Sequence, residues 1–171
     1  MNLKDLKPGS GVELEEDEGY VSPRSQSRRV ALQALYQWQV NCSEPFDIIK
    51  QFSEGGFLTD VDVPLFRDLV NSVTSQVMAL DSAYAPFLDR AVAMIDPIEK
   101  SILRLGVYEL QSKPEIPYRV VINESVELAK RFGADESHRY INGILDKVAA
   151  ECRQLEKSMP SSPDAADSSD A

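Results

Sequence analysis

In YINGILDKVAA, Ile141, Ile144, Leu145, Val148 and Ala149 stand at i, i+3, i+4, i+7 and i+8. At 3.6 residues per turn these positions share one face, so the segment reads as a helix with one apolar side to bury. The spacing recurs along the chain, and no stretch shows the convincing alternation of a half-buried strand. Val30, Ala31, Ala34, Leu35 and Trp38 place a helix from Gln26 to about Val40. A short one follows, from Phe46 to about Phe52. Leu65, Leu69, Val73, Val77 and Leu80 read as one unbroken stripe. Asp81 is then placed to cap a short helix that Pro86 kinks or delays. Ile98, Ile102, Leu105 and Leu110 carry a helix to about Gln111; Val121, Leu128 and Phe132 carry another, ending at Gly133. One-sided helices must stack face to face. The expected fold is all-α, about seven helices, with no internal repeat.

The punctuation agrees. Pro45, Pro64, Pro97 and Pro117 each sit where a helix begins and a missing N–H is harmless. Asp96-Pro97-Ile98-Glu99 resembles a capping box, and Asp135 or Ser137 suits the start of the last helix. Gly106 and Gly143 lie inside helices at a cost of about 1 kcal/mol each relative to alanine. Close helix approach is the expected reason for both.

The net charge of −10 argues against nucleic acid only until it is divided. Residues 1–23 hold six acids against two lysines, and residues 154–171 hold four acids against one lysine. Seven of the ten net negative charges therefore lie at the ends, and a mildly acidic middle is free to own a basic face. Both ends are poor in apolar residues and are expected to be disordered. The reading is an acidic N-terminal extension over 1–23, a helical domain over 24–153 and an acidic tail over 154–171. No apolar run reaches membrane-spanning length and no export signal is evident, so a cytoplasmic protein is expected. Cys42 and Cys152 form no CxxC pair, which argues against a metal site.

His138 is the one histidine, with Asp135, Glu136 and Arg139 beside it. Adjacent helix positions point apart, so these residues cannot converge on a metal, and no GxSxG elbow accompanies the histidine. Neither a catalytic nor a metal site is expected, and no cofactor. Glu124 and Glu127 read as a solvated face. In RSQSRR, by contrast, Arg24, Arg28 and Arg29 stand at or before a helix start, where cations oppose the helix dipole. Local stability does not explain them; arginine's planar donor fork suits phosphate, so an RNA-binding arm is one reading of the segment, which three arginines beside an acidic tail leave open.

Taken together, RRVALQALYQWQV, FRDLV, LDRAVAMIDPIEKSILRLGVYEL and IPYRVVINESVELAKRFGADESHRYINGILDKV resemble the NusB family of bacterial transcription antitermination factors, from about Arg28 to Val148. The resemblance implies two packed helical subdomains and a non-enzymatic protein. The implied partners are NusE, a small-subunit ribosomal protein, boxA-like RNA and the RNA polymerase antitermination complex. It also implies RNA contacts by the arginine segment, Arg24, Arg28 and Arg29, with Gln33 and Tyr36 further along the helix. The family's FGA-x-x-SH-[KR]-[FY] stretch is intact and adds Phe132, His138, Arg139 and Tyr140, with Lys130 beside it. Glu99, Tyr108, Glu109 and Glu124 are the implied NusE contacts. Two alternatives remain at this level. One is a protein-interaction or homodimer module without strong RNA binding of its own. The other is a methyltransferase carrying a NusB-like domain, for which the chain after Arg153 leaves no room.

Overall fold

The computed structural model describes residues 19–158, and its described residues contain helices and no strand. The helices are α1 (Pro23–Asn41), α2 (Pro45–Glu54), α3 (Val63–Ser75), α4 (Val77–Tyr84), α5 (Pro97–Ser112), α6 (Tyr118–Phe132), α7 (Ser137–Cys152) and α8 (Gln154–Ser158). Two 3₁₀ turns, Ala85–Phe87 and Val92–Met94, join α4 to α5. The all-α expectation holds, with a fourth and an eighth helix that periodicity did not separate out.

The helix starts follow the sequence chemistry. Ser22, Asp62 and Asp96 each accept a backbone N–H of the first turn of α1, α3 and α5. Pro23, Pro45, Pro64 and Pro97 occupy first-turn positions, and Pro117 is itself the residue that caps α6. Helices α1, α2 and α3 pack on one another, α5, α6 and α7 form a second group, and α4 lies against α5 and α7. Helix α5 joins the groups, since α1 and α3 also rest on it. Every residue from Ser101 to Leu110 is buried, polar ones included.

A helix buried all round must settle its polar groups inside the protein. Glu109 receives two hydrogen bonds from Arg28 of α1, at 2.7 and 2.9 Å. Arg104 reaches out to Asp81 of α4 with two bonds of 2.8 Å. Tyr108 donates to Asp68 of α3, which also pairs with Lys113 at 2.9 Å. The carbonyls at the end of α5 have no helical partner of their own. Arg153 serves this end, donating to the carbonyls of Leu110 in the last turn, Lys113 at the cap and Ile116 in the loop beyond, at 2.7, 2.8 and 2.9 Å.

Several expectations change here. The stripe from Leu65 to Leu80 is two helices, broken at Gln76. Asp81 caps nothing there, because its carboxylate is engaged by Arg104. Helix α7 begins after Glu136 in a left-handed conformation, and neither Asp135 nor Ser137 caps it through a side chain. Gly133 is not left-handed, with φ at −86°. Its reason is space: a Cβ there would overlap the Ser137 hydroxyl. A Cβ on Gly106 would lie 2.7 Å from Leu145 and 3.0 Å from the Ser125 hydroxyl, so α5 does meet α6 and α7 closely at that point. Gly143 faces open space and marks no helix contact. Helix also continues past residue 153, where a disordered tail was expected. In α8, Glu156 accepts the Tyr118 N–H and an Arg153 N–H, which ties this helix to the start of α6 and the end of α7. The remaining disorder expectations, for 1–18 and 159–171, lie outside the described residues.

Arg28→Ala strands the Glu109 carboxylate inside the protein and should cost about 3–5 kcal/mol, read as a drop in the urea midpoint. Arg28→Met combined with Glu109→Leu should recover most of that loss, because neither partner then leaves an unpaired buried charge. Gly143→Ala should stabilise by about 0.4–1 kcal/mol through chain entropy. Gly106→Ala gains the same helix propensity but crowds Leu145, so its thermal midpoint should fall.

Candidate nucleic-acid interface

The segment RSQSRR divides into two sets once it is wound into the first turns of α1. Ser25, Ser27 and Arg28 turn inward. Ser25 donates to Glu124 of α6 at 2.8 Å, and Ser27 donates to the Asp62 carbonyl ahead of α3 at 2.9 Å. Arg28 holds Glu109 of α5 and lies 3.8 Å from Glu124. Burial works against the Arg28 cation, but the Glu109 bonds outweigh it and keep the guanidinium firmly charged. The helix start is thus tied to three neighbouring helices. Arg24 is exposed and Arg29 half-buried.

Arg29 lines a shallow groove of about 350 Å³ with Tyr20, Ser22, Glu124, Glu127 and Leu128. Gln33 and Tyr36 follow Arg29 at i+4 and i+7, on one side of α1, both half-buried. Lys130 continues the α6 wall of this region, exposed and 3.5 Å from Glu127. The groove is mixed in charge rather than uniformly basic.

A separate group of candidate residues surrounds the start of α7. The Tyr140 hydroxyl donates to Asp89 at 2.9 Å, and the Arg90 guanidinium lies 5.5 Å from the centre of the Tyr140 ring. Arg90 also grips Asp89 at 2.8 and 3.1 Å. Those Arg90 bonds, with the Tyr140 bond second, hold the Asp89 carboxyl down to about 2. Arg139 is exposed and paired with Glu136 at 2.9 Å, and His138 is half-buried. Asp89 and Arg90 carry no sequence signal that singles them out. They lie about fifty residues from Tyr140, and only the turns between α4 and α5 bring them to it.

Two of the expected RNA contacts are not surface groups. Arg28 is 5% exposed and committed to Glu109. Phe132 is 9% exposed and belongs to the core, with the Arg131 guanidinium 5.7 Å from its ring centre. Among the expected protein contacts, Glu109 and Tyr108 are buried against Arg28 and Asp68. Glu99 and Glu124 are half-buried. Among the described residues no group of three or more His, Cys, Asp or Glu side chains is arranged to hold a metal. No described helix is long and apolar enough to cross a membrane.

Comparison with known proteins places this arrangement. A curated relative from Hydrogenovibrio crunogenus, called transcription antitermination protein NusB, is 69% identical over 92% of this chain and 98% of its own length. Another of the same name, from Halorhodospira halophila, is 53% identical over 74% of this chain and 81% of its own. Among solved structures, T. maritima NusB superposes with a TM-score of 0.68 at 25% identity, covering 81% of this chain and all of that one. A structure described as antitermination factors NusB and NusE in complex with double-stranded RNA superposes at 0.67, with 23% identity, over 74% of this chain and 96% of that one. The NusB family model matches residues 25–150, from Ser25 in the first turn of α1 to the last turn of α7, and the chain belongs to the NusB family.

Proposed function

We propose that this chain is a transcription antitermination factor, without enzymatic activity, that binds boxA-type RNA together with NusE. The observation that carries the reading is the near full-length relationship to a protein named for that role, 69% identical over 98% of its length. The placement of side chains supports it. Arg24 is exposed at the start of α1, and Arg29, Gln33 and Tyr36 share one side of that helix. Cations with planar donor forks suit phosphates, and a half-exposed tyrosine offers a ring for stacking. Arg28 acts one step removed, by anchoring the helix that presents its neighbours. Lys130, Arg139 and the Tyr140–Arg90 pair extend the proposed surface past the α6–α7 joint. Glu99 and the exposed edge of Glu124 remain candidate contacts for NusE.

The test is titration of boxA-type and scrambled RNA with the protein alone and with NusE. Preference for boxA is expected, and greater affinity with NusE. Equal binding of both RNAs in both conditions would sink the reading. Arg24→Ala with Arg29→Ala should weaken RNA binding and reduce the slope of log affinity against log salt by about 1 to 2, as expected for one or two lost phosphate contacts. Its urea midpoint should stay near that of the parent protein, in contrast to Arg28→Ala.

A further inference from the structure

Asp89 is an acid where the proposed function calls for cations. It stands exposed beside Arg90, in the segment between the 3₁₀ turns Ala85–Phe87 and Val92–Met94, and faces Tyr140 of α7. A lone carboxylate there would repel a phosphate. Asp89 is not alone. Its Oδ1 accepts from Arg90 Nε at 2.8 Å and from the Tyr140 hydroxyl at 2.9 Å, and its Oδ2 accepts from Arg90 Nη2 at 3.1 Å. The same guanidinium lies 5.5 Å from the centre of the Tyr140 ring. One carboxylate thus ties a surface arginine to a ring that α7 holds half-buried. A guanidinium carries its N–H donors in a fixed planar fork. Asp89 occupies the side formed by Nε and Nη2, which leaves the end formed by Nη1 and Nη2 to meet an oxyanion from another molecule. An arginine that samples many rotamers gives up that freedom on binding, and one already held does not.

We propose that Asp89 is a positioning residue for RNA binding: together with Tyr140 it fixes the Arg90 guanidinium so that its outer end receives a phosphate of the bound strand. This inference rests on the RNA-binding reading above. The guanidinium stands between the two anions, so their repulsion is weakened while the arginine is held in place. The effect of removing Asp89 therefore has a sign that bulk electrostatics does not give. Deleting an acid from a surface that meets RNA ordinarily tightens binding. Deleting this one releases Arg90 and weakens it.

The experiment is a double-mutant cycle on the full-length protein, made of Asp89→Ala, Arg90→Ala and the two combined. Each protein is titrated with boxA-type and scrambled RNA in the presence of NusE, at several salt concentrations around about 150 mM. Asp89→Ala should weaken boxA binding about three- to ten-fold, although it removes a negative charge. Arg90→Ala should weaken it at least as much. Each should lower the slope of log affinity against log salt by about 1, as for one lost phosphate contact. In the Arg90→Ala background, Asp89→Ala should cause no further loss and a small gain, because only repulsion is then removed. Tyr140→Phe keeps the ring and loses the hydroxyl bond, and should fall between the parent protein and Asp89→Ala. Unchanged or tighter boxA binding on Asp89→Ala alone overturns the proposal. So does an equal loss in both backgrounds, which would make Asp89 a structural residue of its loop. In either case a preference of the parent protein for boxA leaves the functional reading standing. If the parent does not prefer boxA over scrambled RNA, the functional reading falls and this inference with it.

Discussion

The ion pair between Arg28 and Glu109 is the contact on which the rest of the structure leans. It joins α1 to α5, the helix that both halves of the fold share, at a point where neither charge meets water. A buried pair gains little over an apolar substitute, because each ion gives up its hydration. Its geometric demands are strict, however. Two parallel hydrogen bonds between a guanidinium and a carboxylate fix distance and rotation together. Helix α1 is therefore held in one orientation about its own axis. Ser25 on Glu124 and Ser27 on the Asp62 carbonyl hold the same turn from two other directions.

That fixed rotation links the core to the outer surface. Residues three and four positions apart share a helix face, so turning Arg28 inward decides where Arg29, Gln33 and Tyr36 point. The far end of α5 is secured in the same manner. Arg153 fills the carbonyls that the helix leaves open, and Glu156 holds Arg153 from α8. Three arginines, 28, 104 and 153, thus spend their donors on α5 or its partners. In a chain with 18 lysines and arginines, a count of cations overstates what is available to a phosphate.

Much of the fold was legible because it rests on local rules. Proline and aspartate at helix starts act within four residues, and an apolar stripe reports its own face. The errors have a common origin. The stripe from Leu65 to Leu80 concealed a break at Gln76, since both helices keep an apolar side toward the same core. Gly106 and Gly143 were indistinguishable by composition, and only the neighbour opposite separates them: Leu145 for one, solvent for the other. Arg28 and Glu109 each read as surface groups. Their pairing spans 81 residues, and nothing in either local sequence announces it.

The sequence by itself determined that the chain is helical, where most helices begin, that it carries no metal-binding pattern, and which family it resembles. Each of these depends on spacing or on motifs that a linear reading captures. Tertiary structure alone decided which arginines are structural and which remain at the surface. It also joined Arg90 and Asp89 to Tyr140, and placed a helix, α8, after Arg153. The physical reason is that a charged side chain has no fixed role of its own. Whether it faces water, RNA or a buried carboxylate is settled by what the packed helices place within about 3 Å of it.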